Sequence, residues 1–92
     1  MIKSFQHKGL ENFFYTGSKK GIQPDHAKKL RLILDRMNNA ELIGDMDYPG
    51  SKLHLLQGNL KGHWAVNVSG NWRVTFQFEN GNVYIIDYQD YH

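Results

Sequence analysis

HWAVNVSGNWRVTFQFENGNVYIIDY, residues 63–88, alternates apolar and polar side chains in three runs cut by Gly70-Asn71 and Asn80-Gly81. A period of two marks strands with one buried face. Two-residue turns of asparagine and glycine join antiparallel neighbours, because both residues accept the positive φ such turns demand. The stretch therefore reads as a meander of three strands, 63–69, 72–79 and 82–88. Just upstream, 52–57 is a fourth candidate strand, joined to the meander by the loop 58–62 and preceded by the turn chemistry of Pro49-Gly50-Ser51.

Before residue 50 the period changes. Residues 8–16 read as a short helix carrying Leu10, Phe13 and Phe14, with Gly17 placed to end it in a left-handed conformation. Pro24 suits the first turn of a second helix. Ala27, Leu30, Ile33, Leu34 and Met37 then recur at helical spacing and form one apolar stripe. Ile2 and Phe5 anchor a short first strand over residues 2–6. The class expected is α+β: two N-terminal helices packed on one face of a mostly antiparallel sheet of four to five strands. Uninterrupted alternation puts Leu53, Leu55, Trp64, Val66, Val68, Trp72, Val74, Phe76, Phe78, Val83 and Ile85 under the helices. Lys52, His54, Asn67, Arg73, Thr75, Gln77, Tyr84, Ile86 and Tyr88 fall on the open face.

With 92 residues, one domain spanning 1–92 is expected. There is no cysteine, hence no disulfide framework and no thiolate nucleophile. No apolar run approaches the roughly 20 residues of a membrane helix, and Met1–Lys8 lacks the apolar stretch of a secretion signal, so a cytoplasmic protein with no membrane contact is expected. Charge divides along the chain. Residues 1–36 carry eight basic groups and three acids, a net of +5; residues 37–92 carry three and six, a net of −3. The basic helix faces within 19–36 suit an acidic partner or nucleic acid, although a solvated helix face is the plainer reading.

No phosphate loop, dinucleotide-binding glycine pattern or metalloprotease helix is present. His54, His63, Asp90 and His92 could contribute to a metal site, but no two histidines have helical ligand spacing; no metal and no cofactor is expected. What remains is His54, Arg73, Asp90, Tyr91 and His92, with Gln57 and Tyr84 in reserve. Such groups suit metal-free cleavage of RNA. A histidine near neutral pKa moves protons, and an arginine brackets phosphate oxygens as charge builds. Tyrosine stacks on a base or steers a hydroxyl. The plainer reading of Arg73 is cross-strand pairing with Glu79 or Asp87; Trp64 and Trp72 read as core, Tyr84 and Tyr88 as strand structure.

Lys52-Leu53-His54, Asn71-Trp72-Arg73-Val74-Thr75-Phe76 and the terminal Asp87-Tyr88-Gln89-Asp90-Tyr91-His92 together resemble the HigB toxins of the RelE/ParE superfamily, as do the opening Met1-Ile2-Lys3-Ser4-Phe5 and Lys8-Gly9-Leu10. The resemblance runs through the whole chain without insertion. It implies a ribosome-dependent mRNA endonuclease acting in the ribosomal A site. It also implies neutralisation by a HigA-type antitoxin with a helix-turn-helix domain, operator DNA being reached only through that antitoxin. His54 matches a proton-transfer histidine, Arg73 a phosphate-binding arginine, and Asp90, Tyr91 and His92 a terminal group implicated in activity. Gln57 departs from relatives that place a lysine there; it donates a hydrogen bond but no charge, and Lys52 or Lys61 would have to compensate in substrate binding. Two alternatives stay open: a ParE-like non-nuclease acting on DNA gyrase, and an inactive relic that only binds antitoxin.

Overall fold

The computed structural model describes residues 1–91. Helix α1 spans Lys8–Thr16. His7 caps its start: its Nδ1 accepts from the Leu10 N–H at 2.9 Å. Gly17 ends it at φ 81, donating its N–H to the Phe13 carbonyl. A 3-10 turn, Pro24–His26, leads straight into α2, Ala27–Asn39. Arg31 of α2 reaches back to the end of α1, donating Nη2 to the Phe13 carbonyl at 3.0 Å and Nη1 to that of Phe14 at 3.4 Å. A side chain read as part of a solvated basic face thus caps a neighbouring helix, whose own last turn holds no basic residue. Close docking of the intervening loop depends on glycine. A Cβ on Gly9 or on Gly21 would come within 2.6 Å of the other's backbone.

Among the described residues, four strands form one antiparallel sheet in chain order: β1 His54–Leu55, β2 Trp64–Ser69, β3 Trp72–Glu79 and β4 Asn82–Asp90. The N-terminal segment adds a parallel edge along β4 through two isolated bridges, Ile2 to Val83 and Phe5 to Ile86. This is the expected α+β layout. Leu10, Leu30, Ile33, Leu34 and Met37 from the helices meet Val66, Val68, Val74, Phe76, Val83 and Ile86 from the sheet in one core, which also takes in Met46.

Two expectations of facing are corrected. The strand expected over 52–57 pairs only at His54 and Leu55. Lys52 sits at φ 50, Leu55 is exposed, and Leu56 is the buried residue instead. The second correction lies in β4. Thr75 faces Asp87 and Gln77 faces Tyr84, so Ile85 and Ile86 together oppose the single residue Phe76. This is a β-bulge, with Ile85 at φ 55. The N–H groups freed at the bulge are taken by Ser4: Ile85 N–H donates to Ser4 Oγ at 2.9 Å and Ile86 N–H to the Ser4 carbonyl at 3.1 Å. Ile85, expected under the helices, is exposed, while Ile86 and Tyr88, expected on the open face, are buried.

Candidate active site on the open face of the sheet

The bulge decides which side chains of β4 reach the open face. After it, Tyr88 turns inward. Its hydroxyl lies 2.6 Å from His26 Nδ1 and accepts the Gln23 N–H at 3.4 Å. Trp72 lies against its ring at 4.7 Å between centroids. Burial raises the Tyr88 pKa, with the Gln23 N–H pulling the other way. Asp87 and Gln89 correspondingly face outward. Residues directly opposed across a ladder share a face, so Asn67, Arg73 and Gln89 form one row on the open side, and His54, Ala65, Thr75 and Asp87 the next.

A cleft of about 90 Å³ opens at the first row, lined by Lys52, His54, Asn67, Gly70, Arg73 and Tyr91, with Val66 behind. Four of the residues expected to act together are therefore brought to one place from widely separated parts of the chain: Lys52 and His54 from β1 and its lead-in, Arg73 from β3, Tyr91 from beyond β4. The Arg73 guanidinium lies 4.4 Å above the centre of the Tyr91 ring, a cation–π contact that holds both. Arg73 Nη2 donates to Gln89 Oε1 at 3.3 Å, while the buried Nε–H has no partner among the described residues. Its partner is thus neither Glu79 nor Asp87, the carboxylates that simple cross-strand pairing would have chosen. A buried donor with no acceptor beside it is costly, while the guanidinium's charge suits an oxyanion in the cleft.

His54 is exposed, and its Nδ1 lies 2.8 Å from the Lys52 carbonyl. A carbonyl only accepts, so Nδ1 carries the hydrogen and Nε2 of the neutral ring keeps a lone pair for taking a proton. Asp90 lies opposite Trp72 in the ladder, hence on that residue's side of the sheet rather than Arg73's. Gln57 and Lys61 are exposed on the connection between β1 and β2 and do not line the cleft. His92 lies outside the described residues. Sequence reasoning passed over Gln89 and Asp87, although the Ile85-Ile86 doublet interrupts the alternation and so signals that the faces change there.

Two further cavities lie elsewhere on the molecule. One, about 240 Å³, is lined by Gln6, Leu60, His63, Thr75, Ile85 and Asp87. The other, about 420 Å³, lies along α2 and is lined by three cations, Lys28, Lys29 and Arg36, one acid, Asp25, and Leu32, Ile33, Tyr48 and Pro49. Among the described residues no three histidines or carboxylates cluster as metal ligands would, and no helix is long and apolar enough to cross a membrane.

The family model for RelE-like toxins of the type II toxin–antitoxin system HigB matches residues 3–92. The chain belongs to the HigB-like toxin family. It is 42% identical over 92 residues, the full length of both chains, to Endoribonuclease HigB of Proteus vulgaris. It is 30% identical over 83 residues to Toxin HigB-1 of Vibrio cholerae, covering 88% of this chain and 87% of the other. Among solved structures, the fold is similar to chains from two YoeB–YefM toxin–antitoxin complexes of Staphylococcus aureus. Their TM-scores are 0.64 and 0.63 at 17% and 16% identity, covering all of this chain and 95% and 98% of those chains. The family rests on the sequence matches; the solved structures show the fold alone.

Proposed function

We propose that this HigB-like chain is an endoribonuclease that cuts mRNA on the ribosome without a metal ion and is neutralised by a HigA-type antitoxin. The observation that carries the reading is the meeting of His54, Arg73 and Tyr91 in one open cleft. The full-length likeness to a protein named as an endoribonuclease supports it.

Arg73 holds the scissile phosphate, its guanidinium charge meeting the non-bridging oxygens. His54 Nε2 takes the proton of the 2′-hydroxyl, whose oxygen attacks the phosphorus. The bond to the 5′-oxygen breaks, and that oxygen takes a proton from His92. The products are a 2′,3′-cyclic phosphate and a 5′-hydroxyl; His54 has gained one proton and His92 has lost one, so the protein's net charge is unchanged and solvent exchange resets the pair. Tyr91 steers the guanidinium from below. Asp90 orients His92 from two positions earlier in the chain, and Lys52 adds charge near the phosphate; Gln57 and Lys61 contact the message farther out. The chemistry needs positioned donors and a proton relay only, and the protein's site is cytoplasmic, where ribosomes are. Operator DNA is met only through the antitoxin, whose docking surface we assign to the basic groove along α2.

Cleavage of a ribosome-bound message in a purified translation system tests the assignment. Arg73→Ala is expected to cut about 10²–10³-fold more slowly, as when an oxyanion donor is removed, and His54→Ala to fall by about 10²-fold or more. Equal cutting by parent and variants would discard the site. A parent that blocks gyrase supercoiling and leaves mRNA whole would discard the nuclease reading.

A further inference from the structure

Arg73 is not held by its stacking on Tyr91 alone. Gln89, directly across the ladder, accepts from Nη2 through its side-chain oxygen at 3.3 Å. The other end of the same amide, Nε2, donates to Asp87 Oδ2 at 3.0 Å. Asp87 is fixed in turn, because its Oδ1 accepts the Tyr88 backbone N–H at 2.9 Å. The three side chains thus form a line from the backbone of β4 to the guanidinium. An amide left to itself has two nearly equivalent orientations. Here a carboxylate, which only accepts, sets which end faces which way, so the oxygen points at the arginine.

We propose that Gln89, oriented by Asp87, is the positioning residue for Arg73 in the cleavage reaction. The choice of a neutral amide matters. A carboxylate at 89 would bind the guanidinium more tightly but would oppose the charge that a phosphate needs to find there. An amide oxygen takes one N–H, fixes the plane of the group and leaves its charge available. Asp87 reaches the arginine only through this intermediary. The line exists because the β4 bulge puts 87 and 89 on the open face.

The inference rests on the proposed role of Arg73, and the test separates the two. Initial rates of ribosome-bound mRNA cleavage are measured across a range of ribosome concentrations. Gln89→Ala is expected to lower kcat about tenfold with KM within about twofold, a loss of orientation rather than of binding. Gln89→Met, close in shape and without the acceptor, should do the same, and Asp87→Asn should lose about threefold by freeing the amide to turn. In an Arg73→Ala background, Gln89→Ala should change the rate by less than about twofold, because nothing remains for it to hold. A residue with a merely structural role would cost the same in both backgrounds. Full loss in the Arg73→Ala background, or no loss in the parent, overturns the inference. An Arg73→Ala protein as active as the parent overturns the site reading itself, and this inference falls with it.

Discussion

Tyr48 carries a hydroxyl that the fold buries without giving it a hydrogen-bond partner among the described residues. Burial raises its pKa, and the Arg36 guanidinium, 4.7 Å above the ring, pulls it back. The ring has a packing role and the oxygen none. Tyr48→Phe should leave stability unchanged or raise it by about 1 kcal/mol, since deleting an unsatisfied polar atom recovers its desolvation cost; urea midpoints measure it, and a clear loss would mean that the oxygen has a partner. Single residues of this kind are the least legible in a sequence. Tyr48 announces neither its burial nor its orphaned oxygen. Arg73 was legible as a functional candidate from its setting in Asn71-Trp72-Arg73, but its hydrogen-bond partner was not. Glu79 and Asp87 were the obvious carboxylates, and the register chose Gln89, a residue with no charge to advertise.

Elements were far easier to read than the joints between them. The stripe from Ala27 to Met37 is the stripe that α2 buries, and Gly17 ends α1 as its conformational freedom suggests. The β-turns at Gly70-Asn71 and Asn80-Gly81 lie where two-residue loops were read. What escaped was pairing length and parity. β1 is two residues long because Lys52 takes a positive φ and Leu56, rather than Leu55, is buried, so propensity over 52–57 exceeded what the ladder uses. Contacts between elements escaped as well. Arg31 seals the carbonyl end of α1 while lying 4.6 Å over the Phe13 ring. Arg31→Ala should cost about 1–2 kcal/mol in thermal or urea unfolding, from charge-assisted hydrogen bonds lost at a helix terminus. Arg31→Lys should recover only part, lacking the planar fork that meets two carbonyls at once. A full rescue by lysine would show that charge alone matters there.

At the scale of the molecule, the two ends of the charge distribution have separated into two surfaces. Three of the eight basic residues of positions 1–36, Lys28, Lys29 and Arg36, line the groove on α2, across the sheet from the cleft, and two of the three cations of the remainder, Lys52 and Arg73, line the cleft itself. Lys28→Glu combined with Arg36→Glu should weaken neutralisation by the antitoxin at least about tenfold, read by titrating antitoxin against toxin, because like charges across an interface are strongly unfavourable. Cleavage by the free toxin should hold within about twofold. Equal neutralisation would move the antitoxin elsewhere. The division between helix side and open side was legible from alternation through β2 and β3. The side on which the chain's end emerges was not, because that depends on one supernumerary residue.

Ile85 makes β4 a strand that keeps count. It is an insertion already absorbed: excising it would leave Val83, Ile86 and Tyr88 inward and Asp87, Gln89 and Tyr91 outward on an unbroken ladder. The same extra residue a few places later would find no Ser4 to accommodate it. It would invert everything beyond, presenting Tyr91 to the helices and Asp90 to the open face. Changes of length in this strand are therefore unequal in their effect. The N-terminal edge, remote from any chemistry in sequence, fixes which of them a working nuclease can survive.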